Sequence, residues 1–178
     1  MCKLLKPKAY LSSLLNIDLK RLKNDFKIKG IIIDLDNTTV AWGSDNVDES
    51  IVSWIKEAKK NDISLYLVSN TLSGRVKRFA EILKIPYNSN SFKPLHSAFK
   101  KALKTMGTTY EDTAVIGDQI FTDILGGNRL NMYTILVNPL GKKDSIGTFI
   151  QRSIEKIILA YWLKTNRIKI ITTTWPKE

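Results

Sequence analysis

Cysteine and histidine are nearly missing from this chain of 178 residues: Cys2 and His96 are its only examples. Their scarcity excludes a disulfide framework and any Cys/His zinc site within one chain. His96 follows a Lys-Pro pair where a helix is predicted to start, and it reads as incidental or capping rather than catalytic. Proline (5) and glycine (9) are sparse, and there is no internal repeat or low-complexity tract, so the chain is globular. No apolar run reaches the roughly 18 residues that a membrane-spanning helix needs. Lysines and prolines break every apolar stretch near the start, so no signal peptide is expected. A cytoplasmic location follows as the expectation, with a peripheral position at the inner face of a membrane left open. Acidic residues number only 17 against 28 Lys and Arg, a formal charge of +11. Such a balance suits an anionic partner, although a lysine-rich proteome would produce it too.

What is present is an alternation of short apolar runs and helical periods. Residues 30 to 34, 63 to 70, 113 to 118 and 131 to 139 read as buried strands, and a weaker run, "KIPYNSN", reads as a fifth. Between them, Ile51, Trp54, Ile55 and Ala58, then Val76, Phe79, Ala80 and Leu83, then Ala98, Phe99, Ala102 and Leu103 fall at helical spacing. This order predicts an α/β, Rossmann-like domain: a parallel five-stranded sheet with helices on both faces. Its core would span 30 to 147. Residues 1 to 29 form a basic segment with eight Lys or Arg against two Asp. That segment either lies on an anionic membrane or covers a sheet edge. Residues 148 to 178 form a last helix and a basic tail; the helix either packs on the core or presents an amphipathic surface.

The chemistry gathers where strands end. In "GIIIDLDNTTV", Asp34 and Asp36 lie two apart, so an extended backbone aims both at one volume. One carboxylate can attack as a nucleophile while its neighbour gives or takes a proton. "GDQIFTD" brings Asp118 and Asp123 to the same rim. Four carboxylates together call for a counter-ion, and hard oxygen ligands with a phosphate suit Mg2+. Ser69 and the amides after it, Asn70 included, could hold phosphate oxygens, and Lys93 supplies a point charge for a phosphoryl group. Taken singly, each has a plainer use: Ser69 as a cap, Lys93 as a solvated residue, Asp118 as a turn former.

In this order the motifs resemble those of the haloacid dehalogenase (HAD) superfamily: "DLDNT" from Asp34 to Thr38, then Ser69, Lys93, and G-D-x-x-x-x-D from Gly117 to Asp123. The resemblance implies that Asp34 forms an aspartyl-phosphate, that Asp36 protonates the leaving group and then activates water, and that Thr38 steadies the loop between them. Thr38, Ser69, Asn70 and Lys93 would surround the phosphate. The metal would be held by Asp34, the main-chain carbonyl of Asp36, and Asp118, with Asp123 either a further ligand or a partner for Lys93. "LVSNT", "FKPL" and "RSIEKIIL" are similar to the YqeG type of subfamily IIIA, which includes phosphatidylglycerophosphate phosphatases of mitochondria and plastids. Thr39 and Ser91 depart from that pattern, where leucine and alanine are expected.

Spacing bears on the substrate. Only 32 residues separate Asp36 from Ser69, and 23 separate Ser69 from Lys93. Once a helix and a strand are taken from each interval, no cap domain remains. An uncovered site draws specificity from a large substrate, a membrane surface or a neighbouring subunit. The expectation is an Mg2+-dependent phosphatase of phosphatidylglycerophosphate, meeting an anionic phospholipid headgroup at a membrane. The alternatives are another phosphomonoester (nucleotide, nucleic-acid end, phosphoprotein or sugar phosphate) and a non-catalytic HAD-like binding module. Nucleic acid is disfavoured because no aromatic-rich basic stripe is present. Oligomeric state is left open.

Overall fold

The computed structural model describes residues 3–141 and 149–171. The last part of the expected core, 142 to 147, and the end of the C-terminal tail, 172 to 178, lie outside the described residues, as does Cys2. Six strands form one sheet: β1 (Ala9–Leu11), β2 (Gly30–Ile33), β3 (Ser64–Val68), β4 (Tyr87–Asn88), β5 (Thr113–Gly117) and β6 (Tyr133–Val137). Their order is β1-β6-β5-β2-β3-β4, and every neighbouring pair is parallel. β2 lies at the centre, and its Gly30 is level with Ser64 on one side and Thr113 on the other.

A central parallel strand is buried on both faces, which is why "GIII" shows no polar alternation. Ile31 and Ile33 face one layer with Leu65, Leu67, Ala114 and Ile116, covered by helices α1 (Leu19–Asn24), α2 (Glu49–Lys60) and α3 (Ser73–Leu83). Ile32 faces the other, with Tyr66, Val68 and Val115 under α4 (His96–Met106). Further along that second face, Tyr10 and Leu136 pack with Trp162 of α6 (Phe149–Lys164). The short α5 (Leu125–Arg129) packs closely before β6: a Cβ at Gly127 would sit 2.6 Å from Thr134 Cγ2.

The sheet has one strand more than the sequence reading assigned. β1 comes from the basic N-terminal segment and lies beside β6, with Lys8 N donating to Thr134 O at 2.9 Å. Three residues are too few to show a period of two, so pairing rather than pattern defines this strand. The chain from 37 to 92 contains only α2, β3, α3 and β4, with no inserted domain.

Candidate active site

All six strands point the same way, so their carboxyl ends share one rim, where ligands of such sheets bind. Asp34 follows β2 directly, its N–H donating to Ile116 O at 3.0 Å. The chain then leaves the sheet through Asn37, whose φ of 61° is left-handed, a conformation that asparagine tolerates better than most residues. Asn37 Oδ1 accepts from Trp42 N at 3.0 Å, which closes the turn.

Lys93 reaches Asp34 from the loop after β4. Its Nζ donates to Asp34 Oδ1 (2.5 Å), Asp123 Oδ1 (2.7 Å) and Val68 O (2.9 Å), so all three ammonium protons are used. Asn70 holds that loop: its Oδ1 accepts from Lys93 N at 2.7 Å and its Nδ2 donates to Lys93 O at 3.3 Å. Burial alone would lower the Lys93 pKa, yet the Asp123 and Asp34 carboxylates raise it above the ordinary lysine value.

The other acids come from the β5 end. Asp118 is buried; Thr38 Oγ1 donates to its Oδ1 at 3.2 Å and Arg152 of α6 binds its Oδ2. Arg152 also donates to Asp118 O at 2.7 Å and lies 3.6 Å from Glu155 Oε2. Glu155 is itself buried and accepts from Phe121 N at 2.9 Å. Asp123 sits in a single π-turn, Ile120–Ile124, a feature frequent at functional sites. The glycine of the G-D motif has a steric reason. A Cβ at Gly117 would lie 2.2 Å from Asp123 Cγ, so only glycine lets that carboxylate approach.

Asp34, Asp118 and Asp123 each offer an oxygen, and the three atoms lie within 4.8 Å of one another. Three carboxylates, with Glu155 behind them, outnumber Lys93 and Arg152. Burial pushes Asp34 up to about 8 despite Lys93, and pushes Asp118 up to about 6 despite Arg152. An all-oxygen set with surplus negative charge fits a hard divalent cation, which would return both acids to their charged form. The Asp36 side chain is not in this cluster. It accepts from Arg75 Nε at 2.9 Å and from Thr71 Oγ1 at 2.5 Å.

Asp36 still faces the same space. A cleft of about 580 Å3 is lined by Asp34, Asp36, Ser69, Asn70, Arg75 and Lys93, with Trp42, Leu72, Gln119 and Gln151 on its walls. Ser69 is buried there, and its hydroxyl accepts from Thr71 N at 3.1 Å, a local turn bond that leaves it lining the cleft. His96 opens α4, as the sequence suggests, and does not line the cleft. Thr39 is buried outside it too, donating to Asp34 O at 2.6 Å. Its hydroxyl therefore takes a main-chain acceptor where leucine would offer only packing. Sequence reasoning missed Arg75, Thr71, Arg152 and Glu155. The last two stand in "RSIEKIIL", where a charged pair three apart on a packing helix was the available signal.

Comparison with known proteins fits this geometry. A HAD-hydrolase-like family model matches residues 92–145. Over 163 residues the chain is 40% identical to Probable phosphatase YqeG of Bacillus subtilis (strain 168), covering 92% of this chain and 94% of that one. The chain belongs to the HAD superfamily, as a phosphatase of the YqeG type. It is also 27% identical over 170 residues to Phosphatidylglycerophosphate phosphatase 1, chloroplastic/mitochondrial, of Arabidopsis thaliana, covering 89% of this chain and 48% of the plant protein. Among solved structures, the cobalt-bound deoxy-D-mannose-octulosonate 8-phosphate phosphatase of Haemophilus influenzae shares the fold. Its TM-score is 0.51 at 21% identity, covering 79% of this chain and 90% of that one. An uncharacterized protein from Listeria monocytogenes gives 0.52 at 17% identity, covering 65% and 84%. As a HAD phosphatase this protein acts on a phosphorylated substrate, and its acidic cluster is compatible with a divalent metal. Among the described residues, no helix is long and apolar enough to cross a membrane.

Proposed function

We propose that this phosphatase is Mg2+-dependent, works through an aspartyl-phosphate on Asp34, and removes the terminal phosphate of phosphatidylglycerophosphate at the cytoplasmic face of a membrane. The observation that carries the chemistry is the meeting of Asp34, Asp118 and Asp123 within 4.8 Å, with Asp34 opening onto a cleft that also holds Lys93 and Asp36. Mg2+ bound by Asp34, Asp118 and the Asp36 main-chain carbonyl would supply charge neutralisation for the approaching phosphate. Both Asp123 oxygens already have partners: Lys93 on one, Gln119 N and Thr122 Oγ1 on the other, each of these at 3.3 Å. Its bond to Lys93 gives Asp123 a positioning role beside its place in the acidic cluster.

In the first step an Asp34 oxygen forms a bond to phosphorus as the ester P–O bond breaks, and Asp36 gives its proton to the departing oxygen. In the second, Asp36 takes a proton from water, which attacks phosphorus and frees Asp34 and inorganic phosphate. Arg75 and Thr71 hold Asp36 at the cleft wall for both transfers. Lys93 steadies the Asp34 carboxylate and the phosphoryl oxygens, with Ser69, Asn70 and Thr38 completing the cradle. Thr38 acts on that cradle through its bond to Asp118.

The lipid substrate is supported by the open cleft, the +11 charge and the likeness to the plant phosphatase. The test is phosphate release from phosphatidylglycerophosphate in mixed micelles, set beside nucleotides, sugar phosphates and a 3'-phosphorylated oligonucleotide. The lipid should be turned over fastest, EDTA should stop the reaction, and Asp34→Asn should abolish it, because an amide has no attacking oxygen anion. Faster turnover of a soluble metabolite removes the lipid reading. Normal turnover by Asp34→Asn removes the mechanism.

A further inference from the structure

Among the described residues, the three most exposed large apolar side chains are Leu72 (77%), Ile150 (75%) and Phe92 (72%). Exposed apolar residues are common in proteins, and Ile157 on α6 is nearly as exposed (70%), but these three share a position near the cleft. Leu72 follows β3 and lines the cleft, Phe92 follows β4 and precedes Lys93, and Ile150 precedes Gln151 of the cleft wall. Leu95, 58% exposed, lies one turn beyond Phe92. Leu72 lines the cleft itself, and the other three stand next to or within two residues of residues that line it.

Phe92 is not hanging on a loose loop. Leu95 N donates to Phe92 O at 2.9 Å, and Asn70 clasps the main chain of the next residue, Lys93. Its φ is 48°, in the left-handed region, and it is the only apolar residue among the non-glycine residues described with positive φ. That conformation costs a phenylalanine on the order of 1–2 kcal/mol, and such strain collects at functional positions. An aromatic ring is thus held outward, at a cost, on a braced turn beside the reacting lysine.

We propose that Phe92, Leu95, Ile150 and Leu72 form an apolar collar that inserts into the interface of an anionic bilayer, bringing the cleft to a phosphate that projects from the lipid surface. The proposal rests on the lipid reading above and names the surface through which that reading would operate. Charge argues for a bilayer as the occupant. The chain carries +11; Arg75 and Arg78, just beyond Leu72 on α3, are themselves paired with Asp36 and Asp45, so the attraction comes from the charge of the whole chain. Of the acids on the same rim, Asp45 is paired with Arg78 at 2.8 Å and Asp48 caps α2 through Ser50 N. Shallow apolar insertion combined with basic attraction is how peripheral proteins hold anionic membranes. The collar, rather than either terminal segment, then sets the orientation of the enzyme.

The test uses full-length protein and sedimentation with vesicles of phosphatidylcholine alone or with about 30 mol% phosphatidylglycerol. The triple variant Phe92→Asn, Leu95→Ser, Ile150→Gln removes the apolar groups with residues the backbone accepts: asparagine tolerates left-handed φ, and serine suits the N-cap position of α4. Ile82→Gln, at the far end of α3, is the control. Wild type and control should sediment with the anionic vesicles and be released by high salt, while the triple variant should bind about tenfold more weakly or worse. Its turnover of p-nitrophenyl phosphate should be unchanged. Vesicle binding by the triple variant equal to wild type, or no vesicle binding by wild type, overturns the proposal. So does a fall in oligomeric mass in the triple variant by light scattering, which would assign the collar to a second copy of the chain. If wild type binds through the collar yet prefers a soluble phosphomonoester, the docking surface stands and the lipid substrate falls.

Discussion

Helices α4 and α6 cover the same face of the sheet by opposite means. α4 turns Ala98, Phe99, Ala102 and Leu103 inward onto Ile32, Tyr66, Val68 and Val115, the division that its apolar period predicts. α6 turns Arg152, Glu155 and Trp162 inward and leaves Ile150, Ile154, Ile157 and Tyr161 exposed. A guanidinium and a carboxylate taken out of water lose more solvation than their attraction always returns, so this pair is weak evidence of stabilisation. What α6 gains by burying them is position: Arg152 grips Asp118 by side chain and carbonyl, and Glu155 holds Phe121 N in the turn that carries Asp123. One helix serves the core; the other serves the site.

The comparison breaks most readily at Phe99. Its ring is fully buried and touches the space over Gly126, where a Cβ would come within 2.7 Å of it. Phe99→Ala should cost about 3–5 kcal/mol of stability by urea unfolding. The affinity for Mg2+, measured by calorimetry at a temperature where the variant is folded, should stay within about twofold, because the ring belongs to the apolar cluster under α4 and not to the acidic cluster. A large loss of metal affinity with it would mean that α4 is not merely scaffold.

Arg152→Met probes the other side. Removing one partner strands Glu155 and the Asp118 carboxylate, a change that costs about 3–5 kcal/mol for a buried pair. The outer support of a metal ligand is worth about 10–100-fold in metal affinity or activity. The double variant Arg152→Met, Glu155→Met separates the two effects. It should recover the part of the lost stability that comes from the stranded Glu155, while the Asp118 carboxylate stays without its cation and keeps the weakened Mg2+ binding. Recovery of both would make the pair a packing device after all.

Much of the site was legible because its signals are local. Asp34 and Asp36 share one strand end, and Gly117 stands six residues before the Asp123 carboxylate for which it makes room. The strands β2, β5 and β6 declare themselves by β-branched runs, and β3 by an unbroken apolar run, that no helix period fits. Contacts with no local trace were the ones missed. Arg75 meets Asp36 from 39 residues away and Arg152 meets Asp118 from 34 away, and neither pairing leaves a period to count. Lys93, 59 residues from Asp34, was reached only through motif order. On α6 the apolar residues divide: Trp162 and Ile158 pack on the core, while Ile150, Ile154, Ile157 and Tyr161 stay exposed.

Acidity offers the finest measure of the difference between the helices. Burial holds Asp34 up to about 8 and Asp118 up to about 6, while Glu155 is also raised by burial. These carboxyls bind their protons more tightly folded than unfolded, so between the ordinary carboxylate range and about pH 8 the native state carries more protons. Stability of the metal-free protein should therefore fall as pH rises through that window. Lys93, held above its ordinary value by Asp123 and Asp34, stays charged throughout and does not change the sign. In EDTA, melting at pH 8 should come a few degrees below melting at pH 6, since about 1 kcal/mol moves Tm by about 2–4 °C in a chain of this size. Saturating Mg2+ should close or reverse the gap, because the ion is held by deprotonated ligands. The slope should survive Phe99→Ala unchanged and steepen in Arg152→Met, where Asp118 loses the cation that pulls its pKa down. Equal slopes in all three proteins would leave Asp118 out of the titration and cut α6 loose from the site it is argued to serve.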